Sequence, residues 1–390
     1  MDRERPIYLD HHATTPCDPR VVRAMQPYWT VAFGNPASRT HRYGWEAEHA
    51  VEIARRELAA LIGASSRDVV FTSGATEANN LAILGIAQAG HGHHLVTCAT
   101  EHRSVLDPCR ALEKRGFRVS VVGVSREGRV DLDQLAGAIE PDTGLVSIML
   151  ANNEIGAIQP LAEIAKVVHE RGALLHSDAS QAAGRIPVDV KRLGVDLLSW
   201  TAHKLYGPKG IGALWVRRRR PRIEVAAQVH GGGHERGLRS GTLPVPLCVG
   251  FGEACALARR SLEGESLRLA QLRDRLLAGL CAQLSGVERN GPTDPCLPGS
   301  LNLSFSGVEA EALLLSLPDL ALSSGSACTS GRREPSHVLW ALGLDARRAL
   351  SAIRFGIGRF NTEAEIDRAI DLLVREVERL RGVSRAAVRR

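Results

Sequence analysis

Residues 196–204 read DLLSWTAHK, an apolar run that passes into a lysine, and the turn GPKG follows at 207–210. An earlier segment at 173–181, ALLHSDASQ, has the same form and passes from an apolar run into an aspartate. Short apolar runs bounded by turn residues are typical of buried strands. Each predicted strand is therefore followed by a charged side chain, Asp178 after the first and Lys204 shortly after the second.

Short β-rich runs alternate with helical patterns from about residue 45 to residue 216. This alternation is typical of a parallel sheet with crossover helices. The predicted strands are 69–73, 94–99, 119–124, 145–151, 173–177, 197–201 and 212–216. After about residue 245 a long helical stretch leads to further predicted strands at 300–305 and 354–360. We therefore expect an α/β protein whose larger domain spans 15–255, with 1–14 and 256–390 forming a smaller α+β domain.

Composition sets the class of protein. Of the 390 residues, 44% are hydrophobic and 24% are charged, which is ordinary for a soluble globular protein. No apolar run approaches the roughly 18 to 20 residues that a membrane span requires. The composition therefore predicts a cytoplasmic protein that does not associate with membranes.

Cysteine spacing and charge disfavour other classes. The eight cysteines contain no C-x-x-C pair, which argues against a disulfide framework and against a zinc ribbon. The net charge of +6 owes much to the run Arg217–Arg220. Such runs are usually solvated surface, and aromatic residues do not interleave this one. Nucleic-acid binding is therefore less expected than binding of an acidic protein partner.

Polar residues follow several of the predicted strands. The set is Ser73, His102, Asn153, Asp178 and Lys204. Ligands of parallel sheets collect at the carboxyl ends of the strands, so these side chains are expected to share one site. A pyridoxal phosphate enzyme needs a lysine that holds the coenzyme as a Schiff base and a carboxylate beside the pyridine nitrogen. Lys204 and Asp178 would supply that pair, although either residue alone is more typical of an ordinary strand end in an α/β protein.

The segment SGAT at 73–76 lies between a predicted strand and a predicted helix. Free backbone N–H groups and the helix dipole favour a phosphate there, although Ser or Thr at a helix start is also an ordinary N-cap. Thr201 and His203 lie at the end of the strand that leads into Lys204, and both could reach that phosphate. His102 could stack on the coenzyme or be a surface loop histidine.

Three further residues carry two interpretations each. Asn153 precedes a glycine turn and is either a ligand contact or a turn former. Arg354 offers a fork suited to a carboxylate, or a structural ion pair. Cys328 lies in the small, Gly-rich segment SSGSACTSG at 323–331, where an accessible thiol can be a nucleophile, whereas cysteines in apolar helices are usually inert.

Taken together, these motifs resemble those of the cysteine desulfurases, pyridoxal phosphate enzymes of the class V aminotransferase family. They run along nearly the whole chain: YLDHHATTP at 8–16, NPAS at 35–38, SGATEANN at 73–80, TEHRSVLD at 100–107, NNEIG at 152–156, HSDASQ at 176–181, TAHKLYGPKG at 201–210, HGGGHERGLRSGT at 230–242, SSGSACTSG at 323–331 and IRFGIGRF at 353–360. The long SSGSAC segment resembles the subgroup that serves iron–sulfur cluster assembly and nitrogen fixation. The resemblance implies fold type I, with a mainly parallel seven-stranded sheet flanked by helices, a smaller α+β domain and a mobile cysteine loop at about 323–335.

The resemblance also implies a role for each site residue. Lys204 would hold pyridoxal 5'-phosphate, Asp178 would pair with its ring nitrogen, Gln181 would bond its ring oxygen, and His102 would stack on the ring and handle protons. The phosphate would lie among Gly74, Ala75, Thr76, Thr201, His203 and, from the second subunit of a homodimer, Thr242. Asn153 and Arg354 would bind the substrate carboxylate, and Cys328 would receive the sulfur.

The implied reaction converts L-cysteine to L-alanine and leaves a persulfide on Cys328. The sulfur would pass to an iron–sulfur scaffold or another acceptor protein, and no resident metal is expected, although Cys328 would contact a nascent cluster in such a complex. Selenocysteine lyase, class V transaminase and a catalytically silent subunit of the same fold are the alternatives. The short Arg-rich tail leaves the acceptor open, and His12 stands where the family often has a small residue.

Overall fold

The computed structural model describes residues 5–218, 220–324 and 335–388. Its strands are β1 (Ile7–Tyr8), β2 (Val69–Thr72), β3 (His94–Cys98), β4 (Arg118–Val122), β5 (Thr143–Ser147), β6 (Leu174–Asp178), β7 (Leu197–Thr201), β8 (Gly212–Val216), β9 (Val287–Arg289), β10 (Ser300–Phe305), β11 (Leu320–Ala321) and β12 (Ala352–Gly356). Its α-helices are α1 (Pro19–Met25), α2 (Pro27–Thr30), α3 (Arg42–Leu61), α4 (Ala75–Gln88), α5 (Arg103–Glu113), α6 (Leu132–Ala138), α7 (Leu161–Glu170), α8 (Val190–Leu193), α9 (Val245–Gln283), α10 (Ala310–Ser316), α11 (His337–Ala341), α12 (Ala346–Leu350) and α13 (Glu363–Val388).

The central sheet has seven strands in the order β2-β8-β7-β6-β5-β3-β4. The five strands from β7 to β4 are parallel, and β8 runs antiparallel to both of its neighbours. Strands β5, β6 and β7 are buried along their whole length, as expected where helices cover both faces of a sheet. The mainly parallel seven-stranded sheet that the sequence predicted is therefore confirmed.

Two apolar clusters cover the faces of this sheet. One includes α3 and the first half of α9, and the other includes α4 and α5. Because β3, β5, β6 and β7 run parallel to one another, their carboxyl ends meet at one edge of the sheet. That edge is where the candidate site lies.

A second apolar core lies around the antiparallel sheet β12-β10-β9 and the parallel pair β1-β11. Helix α9 joins the two cores, because its buried residues through Ala258 pack in the first and those from Leu269 onward pack in the second. The expected division after residue 255 stays a prediction. Within the part of the chain that the structure describes, no helix is both long and apolar enough to cross a membrane.

Several predicted boundaries are corrected. The strand predicted at 354–360 starts two residues earlier and ends at Gly356. It ends there because Gly358 and Asn361 form a turn, with the Gly358 N–H donating to Asn361 Oδ1 at 2.8 Å. The strand predicted at 145–151 is β5, which also begins earlier and ends at Ser147. The expected cysteine loop falls largely on 325–334, outside the described residues.

Candidate active site

The carboxyl ends of the central strands open into a cavity of about 1470 Å³. Twelve of the residues expected at the site line it, namely Ser73, Gly74, Ala75, Thr76, His102, Asn153, Asp178, Gln181, Thr201, His203, Lys204 and Arg354. Thr242 is exposed and does not belong to the described lining of this cavity. Cys328 lies outside the described residues.

Lys204 lies in a 3-10 turn, Ala202–Lys204, directly after β7. Its Nζ donates to the carbonyl oxygens of His12 and Ala13, the latter at 2.8 Å. Burial, together with the positive charges of the nearby Arg185 and Arg354 guanidinium groups, lowers the pKa of Lys204 to about 7. An amine with this pKa is partly neutral at physiological pH, and a neutral lysine is a nucleophile toward an aldehyde.

Asp178 is the last residue of β6, and it lines the cavity. Its Oδ1 accepts the Ser180 N–H at 2.8 Å, and its Oδ2 accepts from Asn79 Nδ2 at 2.7 Å. These two donors fix the plane of the carboxylate. Each carboxylate oxygen has two acceptor sites, so both oxygens can still accept a hydrogen bond from a ligand.

The start of α4 forms another wall of the cavity. Gly74 is the N-cap and provides no side-chain hydrogen bond to the helix. The preceding loop lies close to β8, where a Cβ on Gly212 would lie 2.5 Å from the Gly74 carbonyl carbon. Glu77 in the first turn accepts the Ser73 N–H at 2.7 Å and is paired with Arg239 at 2.8 Å. Backbone N–H groups at a helix start that has no side-chain cap fit a phosphate.

Thr201 and His203 line the same cavity as this helix start. Thr201 Oγ1 donates to the carbonyl oxygen of Ile211 at 3.0 Å. The Nδ1 of His203 lies 3.1 Å from Thr14 Oγ1, a residue that the sequence did not single out. Burial lowers the pKa of His203 to about 4, and the positive charges of Lys204 and Lys209 act in the same direction. His203 is therefore a neutral imidazole at physiological pH in the absence of a bound anion.

Arg354 lies in β12 and is buried. Its NH2 group donates to Asp10 Oδ1 at 2.8 Å, and its NH1 group donates to the Asn153 carbonyl oxygen at 3.4 Å. Its Nε has no hydrogen-bond partner among the described residues. The guanidinium is thus held by Asp10 while it lines the cavity, a geometry that suits recognition of a carboxylate.

Gln181 is held by a buried group that includes His12. Its Nε2 donates to the His12 carbonyl oxygen at 2.9 Å, and its Oε1 accepts from Arg185 at 2.9 Å. Arg185 also donates to the carbonyl oxygens of His11 at 2.8 Å and Lys204 at 3.1 Å. Burial, together with the charge of Arg185, lowers the pKa of His12 well below its usual range. His12 is therefore a neutral side chain that lines the cavity beside Gln181. Arg185, which the sequence did not single out, holds the backbone carbonyl groups of His11 and Lys204 in place.

His102 is the N-cap of α5 and lines the cavity. Its Nδ1 lies 2.8 Å from Ser104 Oγ and accepts the Ser104 N–H at 3.1 Å. Desolvation lowers the pKa of His102, and the negative charge of Asp178 acts in the opposite direction. A neutral imidazole beside Asp178 and Lys204 can hold or release a proton at this face of the cavity.

A buried carboxyl group lies next to Asn153. The pKa of Glu154 is raised to about 7, because the effect of burial exceeds the opposite effects of the hydrogen bond from Ser336 and the charge of Arg354. Ser336 Oγ donates to Glu154 Oε2 at 2.5 Å, and Ser336 also caps α11. The sequence motif NNEIG contained this residue, but a glutamate in a turn gave no signal of burial.

The donor groups of the cavity fit pyridoxal phosphate. Lys204 presents an amine of lowered pKa to the aldehyde, and Asp178 presents a carboxylate fixed by two donors to a ring N–H. The start of α4, which no side chain caps, presents backbone donors to a phosphate. No cluster of His, Cys, Asp and Glu suited to a metal occurs among the residues that the structure describes.

Residues 7–369 match the class-V aminotransferase family, to which the chain therefore belongs. The cysteine desulfurase of Rattus norvegicus is 53% identical over 382 residues, which cover 97% of this chain and 84% of that protein. The cysteine desulfurase IscS of Anaeromyxobacter dehalogenans is 53% identical over 381 residues, which cover 97% of this chain and 94% of that protein. A solved NifS-like protein has a TM-score of 0.89 at 35% identity and covers 96% of this chain and 99% of its own. Within the family, the chain is a member of the cysteine desulfurases, which are pyridoxal phosphate enzymes.

The family resemblance, the fold class and the enzyme class inferred from the sequence are thereby confirmed. The structure brings together in one cavity the twelve expected residues named above. The roles of the individual residues stay predictions, as do the contributions of Thr242 and Cys328.

Proposed function

We propose that this chain binds pyridoxal 5'-phosphate through Lys204 and Asp178 and converts L-cysteine to L-alanine, leaving a persulfide on Cys328. The observation that carries the proposal is the presence, in one cavity, of a lysine whose pKa is about 7 and a carboxylate fixed by two donors. The names of the relatives support the reaction, since those proteins are called cysteine desulfurases.

The residues of the chain divide the work of binding and proton transfer. Arg354 and Asn153 bind the carboxylate of L-cysteine, and the ion pair with Asp10 holds the guanidinium in position. When bound, the coenzyme supplies an electron sink for the bond broken at the substrate Cα. Lys204 accepts and returns a proton at Nζ, because an amine of pKa about 7 is populated in both protonation states near neutral pH.

Sulfur transfer is redox-balanced without an external reagent. The Cys328 thiolate attacks the sulfur of L-cysteine, so that one S–S bond forms while the C–S bond of the substrate breaks. The electron pair of the C–S bond passes to carbon, which gains a proton and becomes the methyl group of alanine. Carbon is reduced, the two sulfur atoms are oxidised together, and the enzyme retains one additional sulfur atom.

The experiment that tests the reaction is incubation of the purified protein with L-cysteine, with alanine quantified and added sulfur located by peptide mass. Wild type is expected to give alanine and a persulfide on Cys328, and Lys204→Ala is expected to give neither. Cys328→Ser should keep the coenzyme spectrum and lose the persulfide, whereas Cys281→Ser serves as a control because Cys281 is exposed and does not line the cavity. Coenzyme binding without alanine would refute the desulfurase reaction and favour selenocysteine or a transaminase substrate.

We propose further that the active enzyme is a homodimer in which Thr242 of each subunit completes the phosphate site of the other. In its own chain Thr242 is exposed and precedes α9, and the described lining of the cavity does not include it. Co-expression of Thr242→Val with Lys204→Ala should yield heterodimers with one restored site. Activity no higher than that of the separate variants would contradict a shared site.

An iron–sulfur scaffold protein is the proposed acceptor of the persulfide sulfur, and the cytoplasm is the proposed location. The IscS name of a relative with 94% coverage supports this acceptor class. Protein loaded with labelled sulfur on Cys328 should transfer the label to a purified scaffold. Transfer that proceeds only to small thiols would contradict a protein acceptor.

A further inference from the structure

Two buried polar side chains lie between His102 and Asp178. Asn79 is on α4, one turn after its start, and Ser104 is in the first turn of α5. Their relative exposures are 0% and 7%, so bulk solvent does not satisfy the hydrogen bonds of either side chain. A buried polar group normally requires hydrogen-bond partners, and here the partners are the two groups that flank the expected coenzyme ring.

The side-chain amide of Asn79 uses both of its donor hydrogens. Nδ2 donates to Asp178 Oδ2 at 2.7 Å and to Ser104 Oγ at 2.8 Å. Rotating the amide would place its oxygen against the carboxylate, which repels it, so the orientation is fixed. Asn79 Oδ1 has no hydrogen-bond partner among the described residues. The orientation of the amide thus satisfies both hydrogens of Nδ2 and leaves Oδ1 without a partner among the described residues.

The fixed orientation of the Asn79 amide determines which hydrogen bond the Ser104 hydroxyl makes to His102. Because Ser104 Oγ accepts from Asn79, its hydroxyl hydrogen is available to the His102 Nδ1 at 2.8 Å. The Ser104 N–H donates to the same nitrogen at 3.1 Å. Two donors aimed at Nδ1 require an unprotonated Nδ1, and in a neutral imidazole the proton then lies on Nε2.

We propose that Asn79 and Ser104 are positioning residues that couple His102 to Asp178: they fix the carboxylate at the ring nitrogen and hold the proton of neutral His102 on Nε2. The proposal rests on the proposed function, because it assigns these two residues to the coenzyme site. It adds a connection between the group that would pair with the ring and the group that would stack on it. A change at Asp178 then alters the hydrogen bonds that His102 receives, and a change at His102 alters those that Asp178 receives.

The charged and titratable groups that act on His102 come from several elements. They are Asp178, Lys204, Asp107, Arg103 and His337. None of these groups is removed by changes at Asn79 or Ser104, so a change in the titration of His102 in those variants would report the hydrogen bonds.

The test is a pH titration of His102 in the apoprotein, measured as the rate of acylation of His102 by diethyl pyrocarbonate with peptide mass detection. Ser104→Ala removes the hydroxyl but keeps the backbone donor. We expect the acid dissociation constant of His102 to fall about threefold to tenfold in this variant, the effect of losing one hydrogen bond to the neutral form. Ser104→Thr keeps the hydroxyl and should titrate like wild type.

Asn79→Leu should shift the titration in the same direction, because Ser104 Oγ would then be free to accept a hydrogen bond from the protonated Nδ1 of His102, which stabilises the charged form. Asn80→Leu is the matched control, since Asn80 lies on the same helix but donates to the Thr76 carbonyl oxygen. The second measurement is the dissociation constant for pyridoxal phosphate. Asn79→Leu should weaken coenzyme binding about tenfold, the loss of a hydrogen bond to a charged group, whereas Ser104→Ala should change it far less.

Unchanged His102 titrations in both Ser104→Ala and Asn79→Leu would overturn the proposal. An equal shift in Ser104→Thr would also overturn it, because packing and not the hydroxyl would then be the cause. If Asn79→Leu does not fold, the comparison of Ser104→Ala with Ser104→Thr decides alone. If wild type binds no pyridoxal phosphate, the proposed function fails, while the apoprotein titration still decides whether the hydrogen bonds set the protonation of His102.

Discussion

The lowered pKa of Lys204 gives a quantitative expectation for the apoprotein. With a pKa of about 7 instead of the ordinary 10.5, about half of the amine is neutral at pH 7. An ordinary lysine has only about 0.03% of its amine neutral at that pH, so the free-amine fraction of Lys204 is about a thousand times larger. The same neutral amine is the form that can react with a coenzyme aldehyde.

The assay is competitive acetylation of the apoprotein across a pH series, followed by peptide mass analysis of each lysine. Lys204 labelling should rise through a midpoint near pH 7 and level off above about pH 8.5. Lys114 is exposed and does not belong to the described lining of the cavity, so it serves as the internal reference for reagent chemistry. A Lys204 midpoint above about pH 9 would refute the account of the site as a poised nucleophile.

A variant separates the causes of the shift. Burial is the largest cause and the charge of Arg185 is the next. Arg185→Met should therefore move the Lys204 midpoint upward but leave it below the ordinary lysine value, because the burial remains. Arg171→Met is the control. Arg171 is exposed and is not among the charged groups that shift the pKa of Lys204, so this change should leave the midpoint unchanged.

Three further outcomes are expected. The pKa of Glu154 is raised from 4.5 to about 7, so the folded state binds more protons than the unfolded state in this interval and loses stability as the pH rises through it. In urea denaturation, Glu154→Gln should gain stability relative to wild type between pH 5 and pH 8, by at most about 3 kcal/mol, and a gain that does not depend on pH would contradict this. Arg55 pairs with the buried Glu235 at 2.7 Å, and Arg55→Met should cost about 3–5 kcal/mol of unfolding free energy in the same assay, because it leaves a buried carboxylate unpaired. Gly212→Ala would place a Cβ 2.5 Å from the loop that precedes α4, so it should weaken pyridoxal phosphate binding at least about tenfold in an equilibrium titration, whereas Gly137→Ala, which has open space around its Cβ, should not.

The sequence was sufficient to place the charged pair at the site. Asp178 and Lys204 follow apolar runs, and runs of that kind in an alternating βα chain become adjacent parallel strands whose ends meet. Strands β6 and β7 are indeed neighbours in the sheet. Because these two strands are parallel neighbours, Asp178 and Lys204 lie in one cavity although they are 26 positions apart in the chain.

Partners that are distant in the chain could not be predicted. Asn79 and Asp178 are separated by 99 residues, and Arg354 and Asp10 by 344. An asparagine inside a helix carries no pattern that reveals a carboxylate beside it. Strand β1 also escaped prediction, because two residues are too few for any periodicity and its pairing with β11 depends on the second core.

The unsatisfied polar atoms of the described residues include several around the cavity. Asn79 Oδ1, His12 Nε2 and Arg354 Nε are all buried without a partner, and each side chain lines or supports the site. A buried polar atom without a partner costs about 1–3 kcal/mol, so this arrangement lowers the stability of the protein alone. Asn79 and Arg354 use their other donor atoms to hold Asp178 and Asp10, and His12 Nδ1 lies 3.0 Å from Gln181 Oε1. The same side chains that carry an unsatisfied atom therefore also orient groups of the site. The site is thus held in a binding geometry before a ligand arrives, and a ligand that binds it has less ordering left to accomplish.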